Sequence, residues 1–377
     1  MTGPKETAAQ MPSAVRLRSL DIARGVTIVT MIIANAAGMI AMTIPGGTSY
    51  APLLHADWEG CTIADLVFPF FLFFVGVAIP IAADGSRQPT RPLRLARRTT
   101  LLILLGLGVN YLALIGGDGS NTLRACGVLQ RIGVAYLLSA LLYFRVSAVG
   151  RAGLVSVGLT GYAALLLLAP FPGIGPADLW RKNYNFSSWF DMWILGTANM
   201  VPAIDGVPAS DPETLLGIIP TTAIVLTGTI AGDRIRIAQN HMRLVATLVV
   251  TGAFLAAMGW FAADYIPMVK KLWTPSFVLF TTGLALVFTA TTYGIVEIYQ
   301  RVGKAGRALE AFGRNSIAAY LLHIMALAVL VGLDGTYLSL AAFSSPSVAS
   351  LPLIATAVVL TFLPIRHMYI ANRVLRL

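Results

Sequence analysis

His55 lies in the segment His55-Ala56-Asp57-Trp58-Glu59-Gly60, and Asp65 follows inside the apolar run Ala64-Asp65-Leu66-Val67-Phe68-Pro69-Phe70. A carboxylate among Leu, Val and Phe is costly to bury alone, so Asp65 needs a partner. His55 is a chemically sensible one. An imidazole held by a carboxylate has a fixed tautomer and a stabilised charged form, which suits a general base that removes a proton from an amine. Asp57 and Glu59 lie close by as well, so spacing alone leaves the choice of carboxylate open. An ordinary surface histidine is the competing reading of His55.

A second group of polar residues interrupts stretches that are otherwise apolar: Asp21, Arg24 and Asn35, then Gln130 and Arg131, then Arg314, Asn315 and His323. Ionisable groups inside a membrane usually face a bundle interior or a watery cavity. Asp21 and Arg24 are one helical turn apart and suit a local ion pair. The other reading is a polar passage through the protein, as a transporter or a cross-membrane transferase would need. The stretch Asp178-Leu179-Trp180-Arg181-Lys182-Asn183-Tyr184-Asn185 mixes aromatic, amide and charged groups. Such a mixture fits the C–H faces and hydroxyls of a carbohydrate, although Trp180, Trp189 and Trp193 equally fit an interfacial aromatic belt.

The elements that position these residues follow from composition. The 377 residues are 56% hydrophobic and 12% charged, far more apolar than a soluble domain. Runs of about 20 residues, each able to cross a hydrocarbon core of roughly 30 Å, alternate with short polar stretches. Lipid offers the backbone no hydrogen-bond partner, and the runs lack the alternation of a barrel strand, so the spans are helical. Ten are expected, near 20–42, 62–83, 98–116, 126–144, 152–170, 214–232, 243–265, 274–296, 309–331 and 350–368. The fold class is thus an all-α polytopic bundle. Two longer loops, 43–61 and 171–213, lie on one side, residues 1–15 form a disordered cytoplasmic tail, and 16–377 form a single transmembrane domain.

The net charge of +10 does not indicate nucleic acid, because its placement follows the membrane. Arg16, Arg18, Arg87, Arg91, Arg94, Arg97, Arg98, Arg145, Arg151, Arg234, Arg236, Arg243, Arg301, Lys304, Arg307, Arg366, Arg373 and Arg376 fall on one side of a ten-span topology. Arg124, Arg181, Lys182, Lys270 and Lys271 are the main basic residues of the other. The positive-inside rule then puts both termini in the cytoplasm. Cys61 and Cys126 fall near outer helix ends, and two free thiols are expected rather than a disulfide.

The segments Arg18-Ser19-Leu20-Asp21-Ile22-Ala23-Arg24-Gly25, His55 to Gly60 and Ala64 to Phe70 together resemble the heparan-α-glucosaminide N-acetyltransferase family and its bacterial counterparts. The likeness continues through Gly127-Val128-Leu129-Gln130-Arg131-Ile132, Asp211-Pro212-Glu213, Leu272-Trp273-Thr274 and Asn315-Ser316-Ile317-Ala318-Ala319-Tyr320. The resemblance implies a bacterial inner-membrane enzyme that takes acetyl from cytoplasmic acetyl-CoA and N-acetylates a glucosamine-type sugar on the periplasmic side. His55 and Asp65 match the family's active histidine and aspartate. No metal is expected, and a homodimer is implied. The chain departs from the family pattern at Asp57 and Glu59, so heparan itself is not the expected acceptor.

Acetyl-CoA imposes its own geometry. Its phosphates resist entry into lipid, whereas its pantetheine arm is slender and mostly uncharged. Arg24, Arg97, Arg98 and Arg314 are the candidates to meet the phosphates at the inner mouth. Asn35, Gln130, Arg131, Trp273 and Asn315 are further candidate cofactor contacts, with Asn35 or a backbone N–H as oxyanion donor. Asp57, Trp58, Glu59, Trp180, Asp211 and Glu213 are the candidate acceptor contacts. Direct transfer and an acetyl-histidine intermediate both remain open at this level. The rival functions are an amino-sugar transporter and an O-acetyltransferase acting on a cell-envelope glycan.

Overall fold

The computed structural model describes residues 16–83, 92–115, 122–200 and 207–375. The expected tail 1–15 and Arg87, Arg91 and Arg376 lie outside them. The described helices are α1 (Arg18–Thr43), α2 (Ile63–Ala82), α3 (Pro92–Ile115), α4 (Val128–Arg145), α5 (Ala148–Leu168), α6 (Phe186–Leu195), α7 (Ile218–Ile237), α8 (His241–Ala262), α9 (Pro275–Tyr293), α10 (Lys304–Arg314), α11 (Ser316–Val331), α12 (Asp334–Ala341) and α13 (Pro346–Ile370). No β-strand occurs among the described residues, though Phe171 and Gly175 form an isolated bridge. The chain is an all-helical, polytopic membrane protein.

Eight helices, α1 to α5, α8, α9 with its closing π turn, and α13, are long and apolar enough to cross a membrane. The bent pair α10 and α11 makes a ninth if counted as one span. The ten expected spans correspond to these nine and to α7, which is less apolar than the rest. That helix has 20 residues but carries Thr221, Thr222, Thr227 and Thr229 and ends in Asp233, Arg234 and Arg236. It packs against α2, α4, α5 and α9, so protein rather than lipid surrounds much of it and an apolar outer face is not required. Its threonine hydroxyls donate to carbonyls one turn back, Thr222 to Ile218 at 2.7 Å and Thr227 to Ala223 at 2.9 Å.

The expected continuous span 309–331 is also corrected. The chain bends by 92° between α10 and α11, and α10 carries Lys304, Arg307, Glu310 and Arg314 along one charged helix. Asn315, at the bend, is buried with both amide atoms lacking a partner among the described residues. The local Asp21–Arg24 pair does not form. Asp21 instead takes Arg16 at 2.6 Å, and Arg24 donates to the carbonyl of Phe74 at 3.2 Å.

Small residues bring the helix axes together, as expected where no aqueous driving force separates lipid-facing from helix-facing surfaces. A Cβ on Gly76 or Gly228 would strike the facing backbone across the α2–α7 contact, and one on Gly25 or Gly313 would do so between α1 and α10. Helix starts are marked by Asn185, Asn240, Ser147 and Ser345, whose side chains accept N–H bonds from the first turns of α6, α8, α5 and α13. One apolar cluster gathers α2, α4, α7 and α9, and a second gathers α1, α11 and α13.

Candidate active site

The start of α2 is built on Asp65. Its Oδ2 accepts the N–H of Thr62 at 3.0 Å, the Thr62 hydroxyl at 3.0 Å and the N–H of Ala56 at 3.2 Å, which closes the first turn reciprocally. Its Oδ1 lies 2.8 Å from Nδ1 of His55. Asp65 is fully buried, whereas the His55 side chain is 47% exposed. The carboxylate therefore anchors the imidazole from below through Nδ1–H and leaves the Nε2 lone pair outward. This resolves the choice that spacing left open. Asp57 pairs instead with Lys182 at 2.7 Å, which holds its carboxyl below the usual range, and Glu59 is exposed.

The α8–α9 turn delivers Lys270 to the same place. Its Nζ is 3.3 Å from Asp65 Oδ1, 3.0 Å from His55 Nδ1 and 3.4 Å from Nε2. The ammonium bonds the carboxylate and lies close to both ring nitrogens, nearer Nδ1 than Nε2. Burial outweighs the attraction of Asp65 and holds the Lys270 amine below its ordinary value. The turn is tightly specified. Thr274 Oγ1 accepts Val269 N–H at 2.9 Å and donates to Pro267 O at 2.7 Å, and Tyr162 donates to Leu272 O at 2.7 Å. Trp273 closes it at φ +54°, a left-handed conformation that costs an aromatic residue about 1–2 kcal/mol. The ring of Trp273 packs edge-on against Phe68 and Phe277 at 5.1 and 5.8 Å, with the Arg131 guanidinium over it at 5.5 Å. Gly60 N–H bonds Met268 O at 2.8 Å and so ties the His55 loop to the Lys270 turn.

His55 and Lys270 stand at one end of a cavity of about 540 Å³. Along α1 the lining residues are Arg24, Ile28, Met31, Asn35 and Met42, and along α2 Ala64, Phe68, Phe71 and Val75, one face of each helix. From Arg24 to Met42 the rise of 1.5 Å per residue gives roughly 27 Å, close to a hydrocarbon core. Arg24 and Arg98 line the far end. Ser316, Ile317 and Tyr320 bring in the first turns of α11, so the bend before it opens a helix N-terminus onto the passage. The walls are mostly apolar, with the charged groups at the two ends.

Several predicted residues meet in this cavity: His55, Trp58, Asn35, Arg24, Arg98, Glu213 and Trp273 all line it. Asn35 Nδ2 is 3.1 Å from Nε2 of His323, and Trp58 donates to Leu179 O at 2.8 Å. Others lie elsewhere. Arg97 is exposed on α3, while Arg98 beside it lies 4.4 Å over Tyr136. Arg314 bonds Asn372 at 2.9 Å and lies over Tyr369, and neither it nor Asn315 lines the cavity. Trp180 is 52% exposed. Gln130 and Arg131 line a smaller cavity of about 300 Å³ beside Cys126 and Glu213.

Asp211 is buried and takes Arg124 at 2.9 Å, which also reaches Glu213 at 3.0 Å. Glu213 divides the two cavities, and burial next to Asp211 raises its carboxyl. Asp191, on α6, accepts Leu215 N–H at 2.9 Å through Oδ1, whereas Oδ2 has no partner among the described residues. Burial pushes its carboxyl up to about 7. Cys61 and Cys126 are free, and burial raises both thiols to about 12, so they stay protonated. Lys270 and Asp191 were not singled out from sequence. Lys270 did carry a signal, as one of a few basic residues on the side that is otherwise poor in them.

Comparison with known proteins points to one family. The family model described as heparan-alpha-glucosaminide N-acetyltransferase, catalytic, matches residues 16–243, which include His55 and Asp65. Human heparan-alpha-glucosaminide N-acetyltransferase is 27% identical over 361 residues, covering 82% of this chain and 52% of its own length. The mouse protein of the same name is 26% identical over 362 residues, with 82% and 54% covered. The chain thus spans about half the length of the curated relatives it matches, and the matched family model covers well over half of the chain: it belongs to the heparan-alpha-glucosaminide N-acetyltransferase family.

Proposed function

We propose that this chain is a transmembrane N-acetyltransferase that takes the acetyl group of acetyl-CoA entering at the Arg24–Arg98 end and delivers it to the amine of a glucosamine-type sugar at the His55 end. The observation that carries the reading is the single cavity that joins the two ends, with cations at one and the His55–Asp65 pair at the other. Its dimensions and mostly apolar walls suit a slender pantetheine arm. The guanidinium groups of Arg24 and Arg98, with the N-terminus of α11, suit phosphates that stay outside the bilayer. His55, fixed through Nδ1, takes the amine proton on Nε2 as nitrogen attacks the thioester carbonyl, and the proton leaves with the CoA thiol.

A transporter needs a binding site reachable from both sides near the midplane. Here the charged groups sit at the two ends of the cavity and the lining between them is mostly apolar, which favours the enzyme. In this reading the Arg24–Arg98 end faces the cytoplasm of a bacterial inner membrane and the His55 end faces the periplasm. The test is CoA release by detergent-purified protein given acetyl-CoA and glucosamine or a small glucosamine-terminated oligosaccharide, with His55→Ala alongside. Acceptor-dependent thiol release that is lost in the variant supports the reading. Accumulation of unmodified amino sugar in proteoliposomes, with no thiol release from any amine acceptor, overturns it.

A further inference from the structure

Among the groups around His55, the Lys270 ammonium is the one whose position the general-base reading leaves unused. It faces Asp65 on α2, His55 and Cys61 in the preceding loop, and Glu213 across the cavity. The contact to Asp65 Oδ1 at 3.3 Å uses one of its three N–H bonds. The Nζ is also 3.4 Å from His55 Nε2 and lines the cavity. An acceptor nitrogen hydrogen-bonded to Nε2 would sit about 3 Å from it. The carbonyl under attack must lie next to that nitrogen, within reach of a donor already 3.4 Å from Nε2. Of the other donors lining the cavity, Asn35 has its Nδ2 directed to His323 at 3.1 Å and Lys271 donates to Asp57 O at 3.2 Å.

We infer that Lys270 is a catalytic residue, the cationic donor that stabilises the oxyanion formed when the acceptor amine attacks the acetyl thioester. The inference rests on the N-acetyltransferase reading and assigns a role within it. The new bond is N–C, and the carbonyl π pair moves onto oxygen, where the ammonium of Lys270 donates to it. The amine proton passes to His55 Nε2. When the oxyanion collapses, the C–S bond breaks and the thiolate receives that proton. Lys270 donates a hydrogen bond throughout and keeps its own proton, so no further reactant is needed. The left-handed backbone at Trp273 and the Thr274 bonds hold the ammonium in place before substrate arrives, so little reorganisation accompanies charge development.

The test compares the unmodified protein with Lys270→Met and Lys270→Arg for acetyl-CoA and glucosamine turnover, with acetyl-CoA binding measured separately by thermal stabilisation. Lys270→Met should lower kcat by about 10²–10³-fold, leave acetyl-CoA stabilisation within about threefold, and abolish the alkaline fall in kcat that loss of the lysine proton produces. Lys270→Arg, which keeps the charge, should recover part of kcat and push that fall to higher pH. A Lys270→Met enzyme that still binds acetyl-CoA and turns over within about threefold of the unmodified rate, or keeps the same alkaline fall, overturns the assignment while leaving the transferase reading intact. Absence of turnover in the unmodified protein with every amine acceptor would instead sink the reading on which the assignment depends. If Lys270→Met does not give folded protein, Lys270→Arg alone decides: an unshifted alkaline limb overturns the proposal.

Discussion

Asp65 divides its carboxylate between His55 and its own helix: Oδ1 faces Nδ1 of the imidazole at 2.8 Å, and Oδ2 accepts the N–H of Thr62 at 3.0 Å. The orientation of the base and the start of α2 therefore depend on one side chain. Asp65→Asn keeps the volume but removes the charge and presents either an amide NH₂ or a neutral oxygen to His55. The expected result is a loss of about 10²–10⁴-fold in kcat from the wrong tautomer and a lost countercharge. A stability loss of about 1 kcal/mol is expected from the weakened cap. Steady-state CoA release and thermal unfolding in detergent measure the two effects separately. A variant that loses the stability but keeps the rate would reduce Asp65 to a capping residue.

The two adjacent arginines of α3 separate cavity lining from surface charge. Arg98 lines the cavity and Arg97 is exposed beside it. Arg98→Ala should raise KM for acetyl-CoA by about 10–100-fold, the range of a lost charge-assisted hydrogen bond. Arg97→Ala should change it by less than about threefold. Equal effects of the two would point to a diffuse positive field rather than a phosphate contact, and a KM titration at two salt concentrations would show it.

Much of this architecture was legible from the sequence because membranes impose hard rules on composition. Apolar runs located α1 to α5, α8, α9 and α13, and the oddity of a carboxylate in the Leu66–Phe70 run located Asp65 and its histidine. What escaped followed from packing. The break at Asn315 is hidden inside an apolar segment. Arg314 resembled a phosphate contact in sequence but turns toward Asn372 and Tyr369, since the 92° bend carries it away from the cavity. Lys270 lies far from His55 in sequence and reaches it on the α8–α9 turn, which Trp273 closes with a left-handed backbone, a conformation that residue type does not announce.

Asp191 gives the fold a pH dependence of defined sign. Burial raises its carboxyl from the ordinary value of 3.8 to about 7, so the folded state holds a proton that the unfolded chain has already released between those values. The folded chain binds more protons there, and stability falls as pH rises from about 4 to about 7, by at most about 1.4 kcal/mol per pH unit. Asp191→Asn keeps an acceptor for Leu215 N–H and cannot ionise. Its melting temperature in detergent should exceed that of the unmodified protein at pH 7.5 and approach it near pH 4. Parallel profiles across that range would exclude Asp191 as the titrating group.

Orientation can be tested without measuring catalysis, because the two ends of the bundle carry exposed residues suited to labelling. Ser344, between α12 and α13, lies at the His55 end: Ser49 Oγ and Ser350 Oγ of the adjoining turn are 3.0 Å apart, which ties this end of α13 to the loop before His55. Lys304, at the start of α10, lies at the opposite end with Arg18, whose Nε bonds Glu310 at 2.7 Å. The basic residues concentrate at that end, which the charge rule assigns to the cytoplasm. In a background with Cys61 and Cys126 replaced by alanine, Ser344→Cys should react with a membrane-impermeant maleimide in intact cells, whereas Lys304→Cys should react only after the membrane is opened. The reverse pattern would place His55 on the cytoplasmic side. Acetyl-CoA and the acceptor would then meet the protein at ends opposite to those proposed, and the Arg24–Arg98 cluster would need another anion to explain it.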